Sequence, residues 1–342
     1  MSDPHDVARY IFINNENELR SGWRVLVFVF CFAIAAALLT GLTMAFAALF
    51  PSLNYLRREE LVLLAGSNLS NLAAALIASA VCAGVLERRR LGSVGFKLHR
   101  NWLRDFSLGS VLGAASLAIA VGIAAGVGAV TFDVQTTGFA RLALGFVITS
   151  LFFVIAGATE ELVFRGFPFQ ALAHNQGGVI AVVITSLLFT LAHVTNPGVS
   201  VLSSINTFLA GIWLALACLM TRSLWLATAL HWSWNFAMVF VFGLPVSGLT
   251  SLTQLSWLKG TANEAIWISG GSYGPEAGIA ATVALILSTL AIWKSGLFTA
   301  SSEMLLAITH GKPEPATLSI TPEPDLLPEA DHHNQRHQSE LR

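Results

Sequence analysis

Three ionisable side chains lie within six residues of an otherwise apolar stretch, AGATEELVFRGF: Glu160, Glu161 and Arg165. A charge near the centre of a bilayer costs between about 3 and more than 10 kcal/mol, so such residues usually face a protein interior and have a function there. Glu161 and Arg165 are four residues apart, the spacing at which opposite charges pair on a helix. We therefore expect Glu161 and Arg165 to form a bracing ion pair and Glu160, which has no partner at helical spacing, to be available for chemistry. Gly166 and Pro168 indicate an irregularity in the helix that follows.

Two further polar pairs have the same spacing of four residues. Phe189 and His193 are the first and last residues of the segment FTLAH, and His231 and Asn235 are those of HWSWN. A carboxylate in an apolar cavity can act as the general base that activates water, and an imidazole can share or orient that water. His231 and Asn235 could donate hydrogen bonds to a developing oxyanion. Alternatively, Glu160, His193 and His231 could hold a divalent metal such as Zn²⁺. Both schemes predict hydrolysis of a peptide bond.

The positions of these residues along their helices indicate whether they can meet. If one long helix covers 142–175 and an antiparallel partner covers 178–195, Glu160 and His193 each lie about 25 Å from the turn between them, at 1.5 Å per residue. These two side chains are therefore expected at one depth. His231 lies about 13 Å from the turn that precedes it. It can join the other two only if the turns lie at different heights.

Composition identifies the chain as an integral membrane protein. Of its 342 residues, 54% are hydrophobic and only 11% are charged, whereas soluble domains contain about 25% charged residues. We predict an all-α fold, a polytopic transmembrane helix bundle of about eight spans in contact with the lipid bilayer. The net charge of −1 and the absence of a basic cluster interleaved with aromatic residues argue against a nucleic-acid partner. The expected spans are 25–50, 61–86, 106–131, 142–164, 179–195, 204–221, 224–243 and 277–298.

Lysine and arginine are distributed unequally between the predicted loops. Residues 87–105 and the segment before residue 25 hold nine of them, against four in the loops of the other side. By the positive-inside rule both termini are cytoplasmic, and we expect a bacterial plasma (inner) membrane and a site open towards the cytoplasm. The predicted organisation is a cytoplasmic N-terminal segment 1–24, N-terminal membrane helices 25–135, a catalytic core 140–245, an extramembrane insertion 246–276, a last span 277–298 and a disordered tail 302–342.

The three motifs EELVFRG (160–166), FTLAH (189–193) and HWSWN (231–235) together resemble the CAAX protease and bacteriocin-processing family, also called the Abi family. Its pattern is EExxxR, FxxxH and HxxxN or HxxxD in this order, within a membrane helix bundle. The resemblance implies an intramembrane endopeptidase, of the type II CAAX prenyl protease kind, that is often classified as a metalloprotease. By this resemblance Glu160 and His193 activate water, and Glu161 with Arg165 braces the site. His231 and Asn235 form the oxyanion hole or contribute to a metal site.

The substrate implied by the resemblance is a membrane-associated peptide or protein, either a prenylated CAAX-like protein or a bacteriocin-type peptide. Two other functions are consistent with the same residues. Glu160 and His193 could form a proton relay in a transporter, although the sequence has no visible internal repeat. The fold could also serve as a non-catalytic immunity or scaffold protein. The motifs of other intramembrane proteases, HExxH, GxGD and GxSG, are absent from the sequence.

Overall fold

The structure, a computed structural model, describes residues 9–14, 17–49, 60–136 and 138–309. Within these residues the fold is almost entirely helical. Its helices are α1 (Ser21–Leu49), α2 (Glu60–Val81), α3 (Trp102–Gly126), α4 (Phe139–Arg165), α5 (Phe167–Gln176), α6 (Gly178–His193), α7 (Val201–Thr221), α8 (Trp225–Phe236), α9 (Ile266–Ser269), α10 (Ile279–Lys294) and α11 (Ser302–Thr309).

Shorter elements complete this part of the chain. Single π-helical turns, Cys82–Leu86 and Ala237–Val241, extend α2 and α8. Strands β1 (Val130–Val134) and β2 (Leu258–Ala262) pair antiparallel. Four short 3₁₀ helices cover Leu91–Val94, Ser251–Leu255, Gly271–Tyr273 and Pro275–Ala277.

The predicted helical membrane bundle is confirmed. Five helical segments of the described chain are long and apolar enough to cross a membrane: α1, α2 with its π turn, α3, α4 together with α5, and α7. Helices α6 and α10 are apolar but only 16 residues long, and α8 has 12 residues before its π turn. The expected spans thus correspond to helices of unequal length.

The expected single helix over 142–175 is interrupted. At Gly166 the backbone has φ −71° and ψ −123°, which ends α4 and starts α5. A Cβ atom at this position would collide with the carbonyl oxygen of Leu162, so the break requires glycine. The irregularity predicted from Gly166 and Pro168 is present. The chain then turns at Gly177, where φ is +91°, into the antiparallel helix α6.

Small residues allow the central helices to approach closely, as is common in membrane bundles. A Cβ atom on Gly109 of α3 would lie 2.9 Å from the Cβ of Ala229 on α8. In the same way, a Cβ atom on Gly211 of α7 would lie 2.8 Å from the Cβ of Ser186 on α6. These contacts fix the heights of α8 and α6 relative to their neighbours, and therefore the depths of His231 and His193.

Helix α7 runs from one end of the bundle to the other. It starts at a capping box in which Ser200 and Ser203 each accept a hydrogen bond from the backbone of the other. Near this start, Asn206 donates to the backbone oxygens of Glu276 and Gly278. We call this end, formed by residues 194–200 and 244–278, the cap end.

The opposite end of α7 lies beside the loop 87–101. Here the N–H of Leu224, just after α7, donates to Gly95 O at 3.0 Å. Because this loop is rich in arginine, we call it the arginine-rich end. Helix α11 is also there, since Arg100 N donates to Glu303 Oε2 at 2.9 Å. The prediction of a disordered tail is therefore wrong for residues 302–309, which pack against this loop; its remainder, 310–342, lies outside the described residues.

Candidate active site

The Glu160 carboxylate lies between two imidazoles. Its Oε2 atom is 3.8 Å from His193 Nε2 and 3.8 Å from His231 Nε2. This oxygen is buried and has no hydrogen-bond partner. A buried polar atom without a hydrogen-bond partner carries a free-energy cost. A small polar molecule placed between these three groups would supply the missing hydrogen bonds.

The Phe189 carbonyl fixes the tautomer of His193. His193 Nδ1 lies 2.8 Å from this oxygen, one helical turn earlier on α6. A carbonyl only accepts hydrogen bonds, so Nδ1 carries the proton and a neutral ring presents the lone pair of Nε2 to Glu160. The Phe189 ring also packs against the imidazole, with the ring centroids 4.5 Å apart. Both residues of the FTLAH pair therefore have a defined place in the site.

Glu161 orients His231 in the same way. His231 Nδ1 lies 3.0 Å from Glu161 Oε1, which accepts its proton, so the lone pair of Nε2 on a neutral ring also points towards Glu160. His231 is on α8 and Glu161 on α4, so this hydrogen bond joins the two helices across the site. The sequence left open whether His231 reaches the other residues, and the structure brings it to them.

The ion pair expected from helical spacing is present and fully buried. Arg165 NH1 donates to Glu161 Oε1 at 3.1 Å, and both side chains are 0% exposed. Arg165 NH2 donates to Gly211 O on α7 at 3.1 Å. The guanidinium carbon also lies 4.4 Å from the centre of the Phe189 ring, a cation–π distance. Glu161 thus connects Arg165 to His231.

These groups border a cavity of about 360 Å³. The wall next to Glu160 is aromatic and apolar, and Asn235, one turn beyond His231, is half-buried in it. No lysine or arginine lines the cavity. The lining residues are Ser67, Asn68, Phe152, Phe153, Ala156, Glu160, Phe164, Phe189, Ala192, His193, Asn196, Asn206, Thr207, Ala210, Trp213, Leu214, His231, Trp234, Asn235, Val246, Ser247, Leu249, Glu276 and Leu285.

The loop residues of this lining all come from the cap end. They are Asn196, Val246, Ser247, Leu249 and Glu276, and no residue of the loop 87–101 is among them. The loops that line the cavity therefore lie at the end opposite to the arginine-rich loop, on whose side we expected the site to open. The reason is the course of α6, which carries His193 at its last residue and so delivers it next to the cap end.

Sequence reasoning missed the polar cap-end residues of the cavity. Asn196, Ser247 and Glu276 lie in segments without a helical or strand period, so no pattern places them next to Glu160. The one available signal was Glu276 itself, an acidic residue directly before the last long apolar helix. Ser247 donates its N–H and its hydroxyl to Glu276 Oε2, at 2.8 and 2.7 Å.

The fit of a metal ion depends on the separation of its ligands. Both histidines present Nε2 lone pairs next to a carboxylate, which is a suitable donor set for zinc. However, neighbouring ligands of a tetrahedral zinc lie about 3.4 Å apart, given metal–ligand distances of about 2.1 Å, and the two separations from Glu160 Oε2 to the histidines are 3.8 Å. No group of three or more His, Cys, Asp or Glu side chains in the described chain is arranged to hold a metal. The separations from Glu160 to the two histidines are thus wider than those between zinc ligands.

Comparison with known proteins gives one match. Residues 141–237 match the family model described as type II CAAX prenyl endopeptidase Rce1-like. The matched segment runs from the start of α4 into the π turn after α8 and includes every candidate residue of the three motifs. No curated protein and no solved structure matches the chain. The match confirms the family resemblance seen in the motifs and supports an intramembrane protease of the CAAX type.

Proposed function

We propose that this chain, in which residues 141–237 form an Rce1-like domain, is an intramembrane endopeptidase whose attacking water is held by Glu160 and His193. The observation that carries the proposal is the unpartnered Glu160 Oε2 atom, which faces two imidazole nitrogens whose tautomers are fixed from behind. A water molecule at this point can donate one hydrogen to the carboxylate and the other to an imidazole. Its oxygen lone pair is then directed into the cavity.

The water oxygen attacks the scissile carbonyl carbon while the Glu160 carboxylate removes a proton from the water. The carbonyl oxygen becomes an oxyanion. Glu160 then transfers its proton to the leaving nitrogen as the C–N bond breaks, which yields an amine and a carboxylic acid that ionises. His193 holds the water in position throughout, because its bond to the Phe189 carbonyl keeps the ring in one orientation.

Donors for the oxyanion come from α8 in this scheme. Asn235 supplies an amide N–H₂ group, and His231 supplies an N–H from Nε2 when its ring is protonated. The Glu161 carboxylate, which accepts the Nδ1 proton of His231 at 3.0 Å, favours that protonated ring while the oxyanion is present. Arg165 donates to Glu161 Oε1 at 3.1 Å and holds this carboxylate in place for the role.

A zinc ion held by Glu160, His193 and His231 would supply a Lewis acid that activates the same water. Glu160 would first have to approach each histidine by about 0.4 Å to reach zinc geometry. No step of the scheme above depends on this. Metal dependence is therefore a separate question that a chelator answers.

The proposed substrate is a membrane-associated peptide or protein, since the cavity lies within the helix bundle and its walls are mostly apolar. Prenylated CAAX-like proteins and bacteriocin-type peptides are the two candidate classes. The proposed location is the plasma membrane of a bacterium, with both termini in the cytoplasm.

The test compares membranes that contain the wild-type protein with membranes that contain Glu160→Gln. Mass spectrometry of new peptide termini should find products that depend on the wild-type protein and disappear in the variant. A peptide that spans the identified bond is then assayed with the purified protein, with and without a chelator. Identical termini in both membranes would contradict the proposal and favour a scaffold or a proton relay.

A further inference from the structure

The proposed function leaves a second carboxylate of the cavity without a role. Glu276 follows Pro275 at the cap end and lines the same cavity as Glu160. Its Oε2 atom is held by Ser247, as described above, but no basic side chain of the described residues lies within ion-pair distance of it. It is half-buried. An unpaired carboxylate in a partly enclosed cavity attracts a cation, because the charge is only partly screened by water.

The charge of the whole cavity points the same way. Its lining contains the two carboxylates of Glu160 and Glu276 and no lysine or arginine. The buried cation closest to the catalytic groups, Arg165, is 0% exposed and its NH1 and NH2 groups already bind Glu161 and Gly211 O. A substrate with a free C-terminal carboxylate next to the scissile bond would find no lysine or arginine partner here.

The phenol group of Tyr273, near Glu276, is buried and uncharged. Tyr273 is 1% exposed, and the side chains of Ser247, Thr207 and Asn196 lie near its hydroxyl. Burial and the neighbouring Glu276 charge raise the pKa of Tyr273, so the hydroxyl keeps its proton. Tyr273 therefore adds no charge to this end of the molecule, where Glu276 is the charged residue of the cavity lining.

We propose, on the basis of the proposed function, that Glu276 is a specificity-determining residue which binds a cationic group of the substrate, a lysine or arginine side chain or an N-terminal ammonium. The cation enters from the cap end and forms an ion pair with Glu276, while the apolar part of the substrate lies along the aromatic wall towards Glu160. The preferred substrate therefore carries a positive charge near the scissile bond and does not need a free C-terminus.

The test measures binding to the Glu160→Gln variant, so that it does not depend on cleavage. The probes are three labelled apolar peptides of one length. The first carries a single lysine between blocked termini, the second has norleucine in its place, and the third has norleucine and a free C-terminal carboxylate. The lysine peptide is expected to bind about tenfold more tightly than its norleucine counterpart, as for a partly desolvated ion pair.

Glu276→Gln, added to this background, isolates the charge from the structural role of the residue. The amide oxygen of glutamine can still accept from both donors of Ser247, so the loop is kept and only the charge is lost. This variant should remove the preference for lysine. Glu264→Gln is the matched control, because Glu264 is exposed in the same segment and does not line the cavity; it should keep the preference.

Equal binding of the lysine and norleucine peptides, a preference that survives Glu276→Gln, or tightest binding of the free-carboxylate peptide would overturn the inference. The same peptides are incubated with the wild-type protein to separate this outcome from the fate of the proposed function. Lysine-dependent binding without any cleavage would support the cation site and refute the peptidase. Cleavage without lysine preference would do the reverse.

Discussion

Replacing Arg165 by methionine tests how the buried charges hold the site. The change removes a guanidinium that is 0% exposed, together with its bonds to Glu161 and Gly211 O at 3.1 Å each. Glu161 is then a buried carboxylate whose one remaining partner is His231. Breaking a buried ion pair from one side typically costs about 3–5 kcal/mol. That is a large part of a total stability of about 5–15 kcal/mol.

The double variant Glu161→Gln/Arg165→Met distinguishes this cause from simple loss of packing. With both charges removed, the remaining destabilisation comes mainly from lost hydrogen bonds, at about 1 kcal/mol each. The double variant should therefore be more stable than Arg165→Met alone, with a coupling energy of about 2 kcal/mol or more. The amide oxygen introduced by Glu161→Gln can still accept the Nδ1 proton of His231, so part of the activity should return with the stability.

The assay is the free energy of unfolding in mixed detergent–SDS micelles at constant pH. Arg141→Met is the matched control, since Arg141 is an exposed arginine near the start of the same helix, and it should change the stability by less than about 0.5 kcal/mol. The bracing role is wrong if the free energy of unfolding of Arg165→Met lies within about 1 kcal/mol of the wild-type value. It is also wrong if the destabilisation of the double variant equals the sum for the two single variants, because the charges are then not coupled.

Two further predictions concern stability in the same assay. Gly211→Val should lower the free energy of unfolding by about 1–3 kcal/mol, because the added Cβ would lie 2.8 Å from Ser186 Cβ and would push α6 away from α7. Gly41→Val is the control and should leave the free energy of unfolding unchanged, because Gly41 faces open space on α1. Equal effects of the two changes would contradict the close packing of α6 and α7. His99 lies in the loop 87–101, and burial lowers its pKa below the ordinary value of 6.5. The unfolded chain therefore takes up a proton at a higher pH than the folded protein, so stability should decrease as the pH falls below about 6.5. His99→Gln should show a smaller decrease over that interval, and an unchanged slope would refute the assignment.

Much of the site follows from the sequence because its parts are local. The spacing of four residues predicts the ion pair between Glu161 and Arg165, and residue counts from the turn place Glu160 and His193 at one level. Each of these statements depends only on helical geometry. The break at Gly166 lies between Glu160 and the turn, yet Glu160 Oε2 is 3.8 Å from His193 Nε2, so the two residues are at one level.

The remaining features depend on packing between helices far apart in sequence. His231 reaches Glu160 because α8 lies close against the glycines of α3, which sets its height in the bundle. The cap end forms a wall of the cavity because Asn206 donates hydrogen bonds to the backbone oxygens of Glu276 and Gly278. These residues are 70 and 72 positions further along the chain. No period in the sequence encodes such contacts. The same contacts place the loops that line the cavity at the end opposite to the arginine-rich loop.

The central claim is that Glu160 activates water at the point between His193 and His231. The most direct measurement is the rate of cleavage of an identified substrate peptide by the purified protein and by Glu160→Gln, an isosteric change that leaves the cavity filled but removes the base. The account predicts a decrease in kcat of at least about 100-fold, the lower range for loss of a general base, with little change in KM and in thermal stability. A Glu160→Gln variant that cleaves at the wild-type rate would contradict the account.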